Sequence, residues 1–232
     1  MKILALETSC EHASIALTLD HETLSRELEG HANHSERLIP TVHSLLAEAG
    51  LGLGQIDVFA FGAGPGAFTG VRLACAVAQG FAMGHDTATA PVCSLAALSL
   101  DALAEWVYVA TDARMAEAYA ACYRVQAGLP PVELVAPVCA APHALPTPAA
   151  DVEWMAIGSA FSAYRESLSA DLDRSLPRRL ADHHPRAAQV AEIARHLARQ
   201  GLLVAPEMAS PLYVRNKVAL TTAERLARGG RA

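Results

Sequence analysis

The sequence has few cysteines and few aromatic side chains, and it has no long uninterrupted apolar run. Its five cysteines are an odd number and show no Cys-x-x-Cys spacing, so they indicate neither a disulfide framework nor a zinc ribbon. Glu7 interrupts the N-terminus before the apolar segment of a signal peptide could form, and the uncharged runs are short and broken by glycine. We therefore expect a cytoplasmic protein with no membrane association.

Basic residues are scarce in the first part of the chain. Residues 1–105 carry four basic against twelve acidic side chains, a net charge of −8, whereas the remainder carries +2, which gives −6 overall. An acidic protein is a poor candidate for gripping a nucleic-acid backbone by itself. The tail from Leu212 is locally basic and could touch nucleic acid or an acidic partner, or it could be a solvated terminal helix.

The 232 residues are 52% hydrophobic, which is enough to build a sizeable core. Apolar runs and helical spacings predict strands near residues 2–8, 13–20 and 23–29, a helix around 38–49, a strand from Val58, and a helix from Ser94 to about Glu105. A similar order begins again at Val107, with a helix predicted near 161–169 and another over 185–200. Two successive ββ(β)αβα units predict a duplicated fold with a cleft between its halves.

A glycine-rich turn links the strand at Val58 to the next helix. Gly62, Gly64 and Gly66 allow positive φ or close approach, and Thr69 is the candidate N-cap. The turn lacks the Gly-Lys-Ser/Thr of a P-loop and the spacing of a dinucleotide fingerprint. It could hold an anion at the helix N-terminus, or it could be an ordinary strand-to-helix turn.

The helix that follows, residues 71–84, is apolar on nearly every side and rich in alanine and glycine. Such a helix must be covered nearly all round. It could be wholly internal, or it could pack one face on its own sheet and offer the other to a second subunit.

Five stretches from one end of the chain to the other resemble the TsaB (YeaZ) family, the non-catalytic subunit of the bacterial complex that makes N6-threonylcarbamoyladenosine in tRNA. They are Ile3-Leu4-Ala5-Leu6-Glu7-Thr8-Ser9, His34-Ser35-Glu36-Arg37-Leu38-Ile39-Pro40, Gly64-Pro65-Gly66-Ala67-Phe68-Thr69-Gly70-Val71-Arg72, Thr111-Asp112-Ala113-Arg114-Met115-Ala116-Glu117-Ala118-Tyr119 and Pro211-Leu212-Tyr213-Val214-Arg215. One departure is Ala67, where the family usually carries serine.

The resemblance implies an α/β, actin-like (ASKHA) duplication of two RNase-H-like halves. We expect one half over residues 1–105, the other over 106–212, and a basic tail over 213–232 that packs back on the first half. In the related catalytic subunit TsaD a helical pair of histidines holds a metal. Context places Ser94 and Leu98 at those positions, and because leucine cannot ligate a metal, we expect no metal site and no catalytic residue.

Glu7 and Asp112 each end a strand that opens one half, where they could flank a nucleotide cleft or simply cap backbone groups. With Gly64, Gly66 and Thr69 they are the candidates for cofactor binding. We expect no intrinsic cofactor, although a nucleotide could lie at the junction with the partner.

The resemblance implies a scaffold subunit that binds and activates TsaD for transfer of a threonylcarbamoyl group to adenosine beside the anticodon, with the ATPase TsaE joining and tRNA contacted only through the complex. The chain alone could also form a homodimer. The expected partner-binding residues lie on two helices: Leu38, Val42, Leu45, Arg72, Leu73, Ala76, Val77 and Gly80. The alternative is an autonomous enzyme, either an ASKHA-type nucleotide-dependent enzyme or a glycoprotease-like metallopeptidase.

Overall fold

The computed structural model describes residues 1–20, 22–28 and 34–215. The basic tail beyond residue 215 therefore lies outside the described residues. Over the described ranges the chain forms two five-stranded sheets, flanked by helices and built in the order of the sequence.

The first sheet contains β1 (Lys2–Glu7), β2 (Ser14–Leu19), β3 (Glu22–Glu27), β4 (Val58–Gly64) and β5 (Ala88–Cys93), in the order β3-β2-β1-β4-β5. The first three strands are antiparallel, and β4 and β5 run parallel to β1. Helix α1 (His34–Glu48) connects β3 to β4, and α2 (Phe68–Gly84) connects β4 to β5. Continuous apolar runs at β1 and β4 follow because both strands are covered on both faces.

The second sheet contains β6 (Trp106–Asp112), β7 (Ala118–Arg124), β8 (Val132–Ala140), β9 (Met155–Ile157) and β10 (Arg178–Leu180). Its order, read from β8, is β8-β7-β6-β9-β10, which repeats the topology of the first sheet. The expected duplication of an actin-like fold is therefore confirmed. The predicted helix over 161–169 is wrong, because two short helices, α4 (Ala160–Ala163) and α5 (Ala170–Ser175), stand on either side of a turn there.

Helices cover both faces of the first sheet. On one face of β1, Leu4 and Leu6 point to α1 and α2. On the other face, Ile3 and Ala5 point to α3 (Ser94–Ser99) and α6 (Ala187–Arg199). The alternation follows from the period of two along a strand. α3 also places Leu95 and Leu98 in the core of the second sheet, so it lies between the two sheets.

The predicted division at residue 212 needs correction. α6 follows the second sheet in the chain, but Ala187, Val190, Ala191 and Ala194 are buried against the strands of the first sheet. Residues 204–213 continue along the first half, where Thr89 and Val204 exchange backbone hydrogen bonds at 2.9 Å. The apolar face of α6 therefore belongs to the first half.

Candidate functional site

The glycine-rich turn between β4 and α2 lies tightly against the end of β1. A Cβ at Gly62 would lie 1.9 Å from Oε2 of Glu7, and a Cβ at Gly70 would lie 1.8 Å from the carbonyl oxygen of Thr8. Gly64 adopts a φ of +101°, which side chains rarely tolerate. The glycines therefore allow two backbone segments and a carboxylate to approach each other closely, as the sequence predicted.

Thr69 is not the N-cap of α2. The helix begins at Phe68, so the cap position is Ala67, whose side chain can make no capping hydrogen bond. Thr69 lies exposed in the first turn instead. The Ala67 N–H donates to the Ser9 carbonyl at 2.6 Å, which leaves the turn with one donor fewer for an anion.

Glu7 is a completely buried carboxylate at the end of β1. Its Oε1 accepts from the Ser9 N–H at 2.7 Å, and its Oε2 accepts from the Ser94 hydroxyl at 2.8 Å. Ser94 in turn accepts from the Gly64 N–H at 3.2 Å. Burial raises the pKa of Glu7 above its ordinary value, and the hydrogen bonds from Ser9 and Ser94 oppose that rise only in part. Glu7 therefore joins β1, β4 and α3 inside the protein.

Asp112, the corresponding acid of the second half, is already surrounded by donors. Its Oδ1 accepts from the Arg114 N–H at 2.7 Å and from the Tyr164 hydroxyl at 2.6 Å, and its Oδ2 pairs with the Arg114 guanidinium at 3.1 Å. The pKa of Tyr164 is raised to about 12, first by burial and then by this hydrogen bond, so the phenol remains a donor at neutral pH. Arg114 also reaches Glu11 of the first half at 2.6 Å.

A cleft of about 800 Å³ lies between the halves, with Asp112 in its wall. The two acids do not fit a magnesium-bound nucleotide there. Glu7 is inaccessible, and Asp112 is paired with the Arg114 guanidinium and bonded to Tyr164, so neither presents an open carboxylate to a hydrated cation. This favours the capping interpretation of both residues.

Ser94 and Leu98, which the resemblance matches to the histidine pair of TsaD, are both completely buried on α3. Ser94 is bonded to Glu7 and Gly64, and Leu98 packs in the core of the second sheet. Within residues 1–20, 22–28 and 34–215, no three histidine, cysteine or acidic side chains are grouped so as to hold a metal ion.

Helix α2 has one buried face and one open face. Val71, Ala74, Cys75, Ala78 and Ala82 are buried against the first sheet, as one interpretation of the sequence predicted. The open face carries five of the expected partner-binding residues. Arg72, Ala76 and Gly80 are exposed, and Leu73 and Val77 are half-buried. The helix is therefore not wholly internal.

The three partner-binding candidates on α1 need correction. Leu38, Val42 and Leu45 are at most 1% exposed because they pack on the first sheet beneath α1. A side chain enclosed by its own chain has no surface left for a partner. The neighbouring Ile39 points outward instead and is 41% exposed.

Comparison with known proteins agrees with the fold. YeaZ from Pseudomonas aeruginosa matches with a TM-score of 0.84 and 35% identity over 91% of this chain and 99% of that chain. A crystal structure described as an uncharacterized protein with similarity to peptidase YeaZ, from the same organism, matches with a TM-score of 0.85 and 35% identity, over 92% of this chain and 99% of that one.

The tRNA threonylcarbamoyladenosine biosynthesis protein TsaB of Escherichia coli is 33% identical over 94% of this chain and 96% of its own length. The chain belongs to the TsaB (YeaZ) family. A Haemophilus influenzae protein with the same description is 42% identical to this chain. That alignment spans about half of each protein, 51% of this chain and 52% of the relative. The family model described as TsaD, tRNA N6-adenosine threonylcarbamoyltransferase, matches residues 28–223.

Sequence reasoning did not identify two side chains beside the open face of this TsaB-family chain. Phe68 and Tyr213 both lie against Arg72 and are 48% and 54% exposed. Both belong to stretches that carry the family resemblance, and in a chain with only 5% aromatic residues that scarcity was the available signal. Their meeting could not be predicted, because they are far apart in sequence.

None of the helices in the described part of the chain combines the length and hydropathy that a bilayer crossing requires.

Proposed function

We propose that this protein is the non-catalytic subunit that binds and activates TsaD for transfer of a threonylcarbamoyl group to adenosine beside the anticodon of tRNA. The catalytic subunit performs the transfer, the ATPase TsaE joins the assembly, and tRNA meets this chain only through the complex. A cytoplasmic location is part of the same proposal. Family membership supports the pathway, and the open face of α2 supports the role within it.

The open face of α2 carries the proposal. Ala76 and Gly80 are exposed and one turn apart, so a second helix could approach the α2 backbone closely between them. No atom outside the helix lies within 4 Å of the Cβ that Gly80 would carry, so nothing in the described chain fills that space. The apolar Leu73 and Val77 border it and would lose water on docking. On α1, Leu38, Val42 and Leu45 are buried, so the outward-facing Ile39 is the proposed apolar contact with the partner.

The hydrogen bonds that Glu7 and Asp112 already make within the chain support an accessory role. Glu7 and Asp112 serve structural hydrogen bonds. By the resemblance, Ser94 and Leu98 stand where TsaD carries its histidine pair. The reaction centre is therefore assigned to the partner, together with any nucleotide at the junction.

Co-expression with TsaD from the same organism, followed by size-exclusion chromatography, tests the proposal. Ala76→Glu places a charge in the open face and should abolish the complex while leaving the thermal unfolding of the chain unchanged. Ala170→Glu is the matched control, because Ala170 is an exposed helical alanine on α5 of the second half. A complex that survives Ala76→Glu would refute the proposed interface.

The chain alone provides the remaining comparisons. If the same face forms a homodimer, Ala76→Glu should convert it to a monomer in the same chromatography. Metal analysis and ATP hydrolysis by the purified chain, with Asp112→Ala for comparison, test the autonomous enzyme. Activity that depends on Asp112 would contradict the accessory role.

A further inference from the structure

Arg72 is the sole charged residue of α2, and it lies on the open face. The other sixteen residues of the helix are uncharged and are mostly apolar or small. A docked partner would therefore cover a surface with a single positive charge at its N-terminal end.

Two aromatic rings hold the guanidinium in place. The Cζ of Arg72 lies 3.6 Å above the centroid of the Phe68 ring and 5.6 Å from that of Tyr213. The Nε of Arg72 donates to the Tyr213 hydroxyl at 2.8 Å. The three side chains, called here the arginine cradle, fix the orientation of an otherwise flexible group. A side chain ordered before binding loses less conformational entropy when a partner arrives.

The two terminal nitrogens of Arg72 are bonded to no carboxylate of the described residues. Arg72 is exposed, so water can reach these donors before a partner binds. When a partner covers the face, that water is removed, and an unpaired cation would oppose binding strongly. The paired terminal nitrogens of arginine match the two oxygens of a carboxylate.

We propose that the arginine cradle receives an aspartate or glutamate side chain from the protein partner that docks on α2. The inference rests on the proposed function and names the chemistry of one contact within it. Tyr213 acts as a positioning residue, because it orients the guanidinium through Nε, while the terminal nitrogens pair with no carboxylate of the described residues.

The surroundings favour a carboxylate over the phosphates of an RNA. Phosphate recognition of a polyanion needs several cations together, and α2 supplies only one. Residues 1–105 also carry a net charge of −8, which repels a polyanion at long range. A single carboxylate within an apolar protein surface meets neither obstacle.

The test measures the dissociation constant of the complex with TsaD at 50 and 500 mM NaCl. Arg72→Met should weaken binding roughly ten- to a hundredfold at low salt and remove much of the salt dependence, because the ion pair is lost. Arg72→Glu should weaken it by about tenfold more, since two carboxylates would then meet. Arg178→Met is the control, because Arg178 is an exposed arginine on β10 of the second half, and this variant should bind like the parent.

Tyr213→Phe should weaken the complex by only a few-fold and keep its salt dependence, because the charge remains. It should have no further effect when combined with Arg72→Met. This non-additivity is the readout that a purely structural role of Tyr213 would not produce.

Four outcomes would overturn the inference. If Ala76→Glu abolishes the complex but Arg72→Met does not weaken it, the face binds TsaD without a carboxylate in the cradle. A loss of affinity with unchanged salt dependence would make Arg72 a packing contact. Binding of tRNA to the chain alone, lost in Arg72→Met, would assign the cradle to phosphate. A complex that survives Ala76→Glu refutes the proposed function itself, and the inference with it.

Discussion

Glu7 shows how a single buried carboxyl group can hold several elements of a fold together. It ends β1, lies beside Gly62 of β4, and accepts a hydrogen bond from Ser94 of α3. Removing one partner from such a buried group leaves a polar atom unsatisfied, which typically costs about 1–3 kcal/mol. Three elements of the first half therefore depend on one side chain.

The raised pKa of Glu7 predicts a pH dependence of stability. The folded chain binds this proton more tightly than the unfolded chain, whose glutamate titrates near 4.5. The stability associated with Glu7 is therefore complete below about pH 4.5 and is lost as the pH rises through the folded-state pKa. A glutamine does not titrate, so the free energy of unfolding of Glu7→Gln, compared with that of the parent chain, should increase as the pH rises from 5 to 8.

Urea unfolding of both chains at pH 5, 6.5 and 8 measures this difference. Glu153→Gln, which changes an exposed carboxyl, controls for the altered net charge. A difference between the Glu7→Gln and parent chains that is constant with pH, or that moves in the opposite direction, would contradict the role of burial.

At the scale of the element, α2 combines two requirements in one helix. Its N-terminal turn lies against the end of β1, which requires glycine at position 70. Its outer face carries the small residues Ala76 and Gly80, which leave room for another helix to approach the backbone. The same residue type therefore serves opposite purposes, since one glycine is enclosed and the other faces open space.

Replacing each glycine of α2 by alanine separates these roles. In an open helical position, alanine is favoured over glycine by up to about 1 kcal/mol, so Gly80→Ala should stabilise the isolated chain. At Gly70 the added Cβ would lie 1.8 Å from the Thr8 carbonyl oxygen, so Gly70→Ala should destabilise it by roughly 1–3 kcal/mol. The free energy of unfolding in urea measures both, and the same sign for the two would be evidence against the close approach at Gly70.

At the scale of the whole molecule, residues 211–215 tie the two halves together across the cleft. The Leu212 N–H donates to the Ala63 carbonyl of β4 at 2.7 Å, and Tyr213 contacts α2. Arg215 reaches the turn between β6 and β7, where it donates to the Ala113 carbonyl at 2.9 Å and pairs with Glu117 at 2.7 Å. That turn places three consecutive non-glycine residues at positive φ, residues 114–116.

Removal of the Arg215 side chain should loosen this turn. We expect Arg215→Ala to lower the free energy of unfolding by about 1–2 kcal/mol, because it breaks an ion pair and backbone hydrogen bonds in a largely buried position. Hydrogen exchange should increase over residues 113–117, where left-handed backbone needs external support. Arg178→Ala, which removes an exposed ion pair, should change neither quantity. Unchanged exchange in Arg215→Ala would show that the turn holds its own shape.

The sequence by itself determined the duplicated order of strands and helices and the close approach of the glycine turn, and it reduced α2 to two arrangements, wholly internal or open on one face. These are local patterns, since the period of a strand or helix and the conformational range of glycine are properties of neighbouring residues. The helical spacing of Leu38, Val42 and Leu45 likewise places the three side chains on one face of α1.

Only the tertiary structure decided what that face meets, because the same stripe can pack on a sheet of its own chain or on a partner. Tertiary structure also assigned α6 to the first sheet and brought Tyr213 onto Arg72, since both depend on where the chain returns after the second sheet. Contacts between residues far apart in sequence are set by packing of the whole core, which no local spacing encodes.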